Sequence, residues 1–377
     1  MLRRWRALLA LFVFEGLLLA PGGHARLIPD GVPIRAYFFD IDDTLLRLLN
    51  YIYLRHRSSG REIGFTSEEF AEVRLLIGSD GRGLSQNYDL RLGGDRIQPI
   101  NMADYELFEG SLREFGDTHG DHPNYFLKGL LESLRLNKVA PDALGVPRPT
   151  WQGSSYDSYN EAVSHEPSRV WTFVNTARQH RRRTIYTGLD MLYQGAQVGG
   201  VLPEENIWPV GSPEFPRYFR EAFGEDPPPG NTWDPSARKL LVMSKVFDLI
   251  EKEREKLPLG PGQFDTAGFS DDDRGNFTKA LEGLSPDVAR GRWPHIKITL
   301  FYVGRTATHK PSGVVLETGK APRHFSLEGG FRDVDPVWKR LSNDRPGADQ
   351  FASVSRAPHV LSDPTIRAAC SVALDKK

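Results

Sequence analysis

Two carboxylates one residue apart, placed directly after a buried-type run, are the first point where this chain could do chemistry. Ala36-Tyr37-Phe38-Phe39 is short, apolar and aromatic, as a buried strand is. It runs straight into Asp40-Ile41-Asp42-Asp43-Thr44. In an open α/β sheet the ligand sits beyond the carboxyl ends of the strands. Alternate residues of an extended continuation point the same way, so Asp40 and Asp42 can share one site. Two close carboxylates repel unless a cation or a proton separates them. Magnesium is a natural resolution, because it is hard, takes oxygen ligands and binds through one or two carboxylates together with phosphate oxygens.

Three more groups follow in chain order. Thr184-Ile185-Tyr186 reads as a short strand closed by Thr187-Gly188, a hydroxyl beside a residue with no side chain to obstruct a close approach. A helix from near Ser236 to about Arg254 offers two lysines. On a helical projection Lys239 falls in the first turn and on the apolar stripe of Val242, Met243, Val246, Leu249 and Ile250. Lys245 lies about 100° from the centre of that stripe, toward Asp248 and Lys252. A lysine on the buried side needs an anionic partner, which favours Lys239 and leaves Lys245 as the alternative. The last group is Ser270-Asp271-Asp272-Asp273-Arg274-Gly275-Asn276, which follows the strand-like Gln263–Phe269. As a calcium loop this run fails: Asn276 stands where the turn needs Gly, and Gly275 where an oxygen ligand is needed.

In sequence and in order these residues resemble the motifs of the haloacid-dehalogenase-like superfamily. Phe38-Phe39-Asp40-Ile41-Asp42-Asp43-Thr44-Leu45 is similar to its first motif, and Gly268–Asn276 to its last. The resemblance implies Asp40 as the nucleophile toward phosphorus, with Asp42 as acid and then base. It implies that Thr187, Gly188 and Lys239 hold the phosphoryl oxygens. Magnesium would sit among Asp40, Asp42, Asp271 and Asp272, with Thr44 and Asn276 in support. The consecutive third acid, Asp273, leaves the metal assignment open by one position. An acid at Asp42 is what the phosphatases of this family carry and its dehalogenases lack. The implied activity is hydrolysis of a small phosphomonoester through an aspartyl-phosphate. Transfer to another acceptor, or phosphate and metal binding without catalysis, are the alternatives.

Such residues need a scaffold. The alternation of strands with helices predicts an α/β fold with a Rossmann-like, doubly wound parallel sheet. The core is expected in residues 33–46 and 166–310, with a helix over Ser168–Gln179 and a strand over Ile296–Val303. Helical starts and spacing at Ser67 and over Phe126–Leu136 place an inserted, mainly helical cap at 47–165. Such a cap would close over the site and choose the substrate. Pro203–Phe223 reads as a lesser insertion beside the site, and residues 311–377 as a C-terminal extension.

Composition narrows the partners. A formal net charge of −1 argues against holding nucleic acid by bulk electrostatics. The single cysteine, Cys370, rules out an intramolecular disulfide and a Cys-rich zinc site. Arg3, Arg4 and Arg6, the apolar Ala7–Ala20 and the small Gly23 and Ala25 resemble an export signal over residues 1–25. That apolar run is too short for a stable membrane span, and Glu15 interrupts it. A genuine signal would imply a periplasmic or secreted location, and its absence a cytoplasmic one.

Overall fold

The computed structural model describes residues 31–74, 76–78, 87–92, 96–117, 125–165, 169–229, 234–305, 309–327 and 331. The chain builds a mixed α/β fold around a mainly parallel seven-stranded sheet, compatible with a Rossmann-like architecture. β1 (Arg35–Phe39) shows why it lies at the centre. Ala36 and Phe38 turn to one face, Tyr37 and Phe39 to the other, and all four are buried. A strand apolar on both faces is covered on both faces.

After β1 come β2 (Ile52–His56), β3 (Glu62–Phe65), α1 (Ser67–Val73), β4 (Asn87–Leu92), β5 (Arg96–Asn101) and β6 (Tyr105–Glu106). β2 pairs with β3 and β6, while β4 and β5 form a separate hairpin. Next are α2 (Tyr125–Leu136), the hairpin β7 (Val139–Pro141) and β8 (Pro147–Pro149), and α3 (Tyr156–Val163). The main sheet then resumes with β9 (Val170–Thr176), α4 (Arg182–Gln194), β10 (Ile207–Pro209), α5 (Phe215–Phe223) and α6 (Pro235–Arg254). It finishes with β11 (Asp265–Asp271), α7 (Arg274–Ala289), β12 (Ile296–Tyr302), β13 (Ser312–Leu316) and β14 (Arg323–Ser326). The strand order is β10-β9-β1-β11-β12-β13-β14, parallel as far as β12 and antiparallel after it.

Two apolar layers sandwich the sheet. On one side Phe38 and Phe173 meet Val242, Val246 and Phe247 of α6 and Phe277 and Leu284 of α7. On the other, Tyr37, Phe39 and Val174 meet Phe126 and Leu130 of α2, Tyr159 of α3, and Ile185 and Leu189 of α4. Each such fully buried side chain contributes about 1.5–3 kcal/mol.

Several sequence expectations change here. Ser168–Gln179 is not a helix: Ser168 lies outside the described residues, and Val170–Thr176 is a strand buried on both faces. β-branched and aromatic residues dominate it, and they fit a pleated sheet better than a helix. Conversely, Thr184–Tyr186 belongs to α4, whose Ile185, Leu189 and Leu192 form one buried helical stripe. The insertion is mixed rather than mainly helical, and α2 and α3 pack into the main core. The small separate core of Leu54, Phe65, Val73, Ile100 and Met102 lies in its earlier part. Pro203–Phe223 is no added insertion, since Trp208, Phe215, Tyr218 and Phe219 join the α6 side of the core. The core also runs past 310, because β13 and β14 extend the sheet; residues 332–377 lie outside the described residues, as does the export signal at 1–25. No helix among the described residues is long and apolar enough to cross a membrane.

Candidate active site

From β1 the chain moves outward to β9 and β10 on one side of the sheet, then returns to build β11 and β12 on the other. Connections therefore diverge at the carboxyl end of β1, where an open α/β sheet leaves a crevice. Asp40 is the first residue past β1, and its amide donates to the Ser270 carbonyl at 3.0 Å. Asp271 ends β11. From below, α6 brings Lys239, one turn beyond the Asp234 cap and Pro235. The lysine Nζ donates to Asp40 Oδ1 and to Asp271 Oδ2, both at 2.7 Å. Its side chain is 1% exposed. Lys245 lies away from this group and pairs with Glu225.

Asp272 stands beside them, and Thr44 Oγ1 donates to its Oδ1 at 3.2 Å. Asn276 donates from Nδ2 to Asp271 Oδ1 at 3.1 Å, and its Oδ1 accepts from Ser236 Oγ at 2.6 Å. Asp273 turns away from the acids: it caps α7 and takes two hydrogen bonds from Arg74, a residue of the insertion.

Burial is the main electrostatic force here. It pushes the Asp40 carboxyl up to about 7, with the charges of Asp271 and Asp42 adding to the push and Lys239 opposing it. Asp271 is raised by burial against Lys239, and Asp272 is raised well above the ordinary carboxylate range by burial and by Asp43, Asp271 and Asp40. Burial pulls Lys239 down, but Asp271 and Asp40 more than offset it and leave the ammonium firmly charged.

This arrangement fits a divalent cation. Oxygens of Asp40, Asp271 and Asp272 lie within 4.8 Å of one another. When ionised, the three carboxylates outnumber the single Lys239 ammonium, so a cation among them would offset the charge that Lys239 does not. The donor set is all oxygen, as magnesium prefers.

Asp42 departs from its expected place. Its carboxylate is not part of the metal cluster but is clamped by Arg178, with Nε to Oδ2 at 3.0 Å and Nη2 to Oδ1 at 2.6 Å. Asp40 and Asp42 still line one cavity, as alternation predicts, but only Asp40 belongs to the three-carboxylate group. Arg178 is buried against the rings of Phe115 and Phe126 and also donates to Asn50 Oδ1 at 3.0 Å.

Thr187 and Gly188 are not at the site. Thr187 is half-buried on α4 and donates to the Arg183 carbonyl one turn back, while Gly188 packs under Phe126. The carboxyl end of the neighbouring strand β9 is Thr176, followed by Ala177 and Arg178. The β-branched run Val170–Thr176 ending in Thr-Ala-Arg was the sequence signal for it. Arg178, Asn50 and Arg74 carried no local signal, since their partners are far away in sequence.

Two glycines hold the acidic loops close to their neighbours. A Cβ on Gly153 would lie 2.4 Å from the Thr44 carbonyl oxygen, and one on Gly304 would lie 2.1 Å from that of Asp272. Above the carboxylates opens a cavity of about 600 Å³, lined by core residues and by the insertion. Comparison of the chain with family models, curated proteins and solved structures found no match.

Proposed function

We propose that this protein is a magnesium-dependent phosphatase that hydrolyses a small phosphomonoester through an aspartyl-phosphate on Asp40. One observation carries the reading: Lys239 bridges Asp40 and Asp271 beside Asp272, at the switch point of the sheet and under an open cavity. A purely structural ion pair would not need a third carboxylate or an opening above it.

Magnesium, held by Asp40, Asp271 and Asp272, would supply positive charge for the phosphoryl oxygens. Asp40 attacks phosphorus, and the bond to the leaving oxygen breaks as Asp42 gives that oxygen its proton. Water then attacks phosphorus, Asp42 takes the water proton, and the phosphorus–Asp40 bond breaks to release inorganic phosphate. This is nucleophilic catalysis by a carboxylate, one hard displacement divided into two. Lys239 keeps its charge next to the nucleophile and offsets that of the incoming phosphate. Arg178 fixes the direction of Asp42, and a protonated Asp42 must give up one of the two Arg178 bonds. Thr176 replaces Thr187 as the hydroxyl proposed to face the phosphoryl group.

The test is phosphate release from p-nitrophenyl phosphate and a panel of small phosphomonoesters, with magnesium and with chelator, beside Asp40→Asn. Magnesium-dependent release that disappears in the variant supports the reading. Release that survives in Asp40→Asn removes it.

A further inference from the structure

The cavity above the carboxylates is far larger than a phosphoryl group requires, and its lining combines carboxylates with apolar side chains. Its floor holds Asp40, Asp42 and Asp272. Its walls carry Ile52, Phe70, Leu112 and Phe115 from the insertion, with Pro213 and Pro216 from the core. Three guanidinium groups reach the lining and all are engaged: Arg74 by Asp273, Arg178 by Asp42, and Arg238 by the Val210 carbonyl and the Phe215 ring. Uncharged polar side chains there are few: Ser67, Gln179, Ser212 and Asn276. Asn276 is taken up by Asp271 and Ser236, and the Ser212 hydroxyl accepts from the Glu214 amide.

A leaving group seated against these walls loses water on most of its surface. Hydroxyls of a sugar or polyol would lose hydrogen bonds that apolar walls cannot replace. A ring-sized apolar group would instead remove both its own surface and that of Phe70 and Leu112 from water. A volume of about 600 Å³ is within the range of sites that enclose a whole organic ligand, and such sites are mostly apolar with a few polar anchors. We infer that the cavity selects phosphomonoesters whose leaving group is an apolar ring, aromatic or alicyclic, over those of polyols. This rests on the phosphatase reading for the floor of the site and adds the class of substrate.

Binding tests it without turnover. Benzylphosphonate and methylphosphonate share the anion, resist hydrolysis and differ in the ring, so their affinities for the full chain with magnesium are compared by calorimetry. The benzyl compound should bind at least tenfold more tightly. That ratio should fall toward one in Leu112→Glu, where the exposed position tolerates the change, and in Phe70→Ala. Equal affinities in the wild type, no binding of either compound, or an unchanged ratio in both variants overturns the inference. The two readings fail separately: ring-selective binding without phosphate release from any ester would sink the phosphatase and keep the apolar pocket. Magnesium-dependent release with equal phosphonate affinities would do the reverse.

Discussion

Replacing Lys239 by methionine should destabilise the metal-free protein far more than the same change at Lys245. Methionine keeps most of the unbranched apolar stem, so little cavity is created. What disappears is the ammonium that lies 2.7 Å from both Asp40 and Asp271, with a side chain 1% exposed. Deleting one partner of a buried ion pair costs about 3–5 kcal/mol, because the charge left behind is uncompensated. Against a total stability of about 5–15 kcal/mol that is a large fraction. Lys245 and Glu225 are both partly exposed, and such pairs contribute about 0–1 kcal/mol. The assay is urea denaturation of both variants and the wild type, in chelator near neutral pH. The loss in Lys239→Met should shrink as the pH falls, since the two carboxylates can then take up protons. Magnesium should restore part of it, by about 2.7 kcal/mol at a hundredfold excess over its dissociation constant. A metal-free Lys239→Met within about 1 kcal/mol of the wild type would refute the electrostatic reasoning, for a broken buried pair cannot cost so little.

The raised Asp40 carboxyl also gives a pH dependence. Its folded value of about 7 exceeds the ordinary 3.8, so the native state holds a proton that the unfolded chain has released. That contribution is present below the unfolded value and is lost as pH rises through about 7. Metal-free wild type should therefore lose stability relative to Asp40→Asn between about pH 4 and pH 7, and parallel curves from chemical denaturation would contradict this. Thr176→Val should reduce phosphate release at least tenfold, whereas Thr187→Val, on α4 and away from the carboxylates, should stay within twofold; steady-state kinetics that reverse the order would return the role to Thr187. Gly304→Ala sets a Cβ against the Asp272 carbonyl oxygen, so calorimetry should show magnesium affinity weakened by about 10-fold or more, the usual scale for disturbing the surroundings of a ligand. Unchanged affinity would mean that Asp272 does not hold the ion.

Local order made part of this site readable in the sequence. A buried run ending in Asp40, a lysine on the apolar stripe of α6, and an acidic turn after a strand each announce themselves within a few residues. The helical period was enough to separate Lys239 from Lys245, because only a buried-side lysine can reach carboxylates at the carboxyl ends of β1 and β11. β9 was lost because Val170, Trp171, Phe173, Val174 and Ala177 also fit a helical stripe; the abundance of β-branched and aromatic residues there was the stronger signal. Misplacing that strand put the expected hydroxyl at Thr187, eleven positions beyond Thr176, where β9 ends. The clamp of Arg178 on Asp42 spans 136 residues and that of Arg74 on Asp273 spans 199. Neither leaves a local pattern: the first depends on β9 pairing with β1, the second on how the insertion folds back over the core.

The most direct measurement is to stop the reaction with acid during turnover of a phosphomonoester, reduce the protein with borohydride and map the product by mass spectrometry. Borohydride converts an aspartyl-phosphate to homoserine and leaves a free aspartate unchanged. Homoserine at position 40, formed only with substrate and magnesium, is the expected result. Turnover without modification at Asp40, or with the modification on another residue, would contradict the proposed nucleophile.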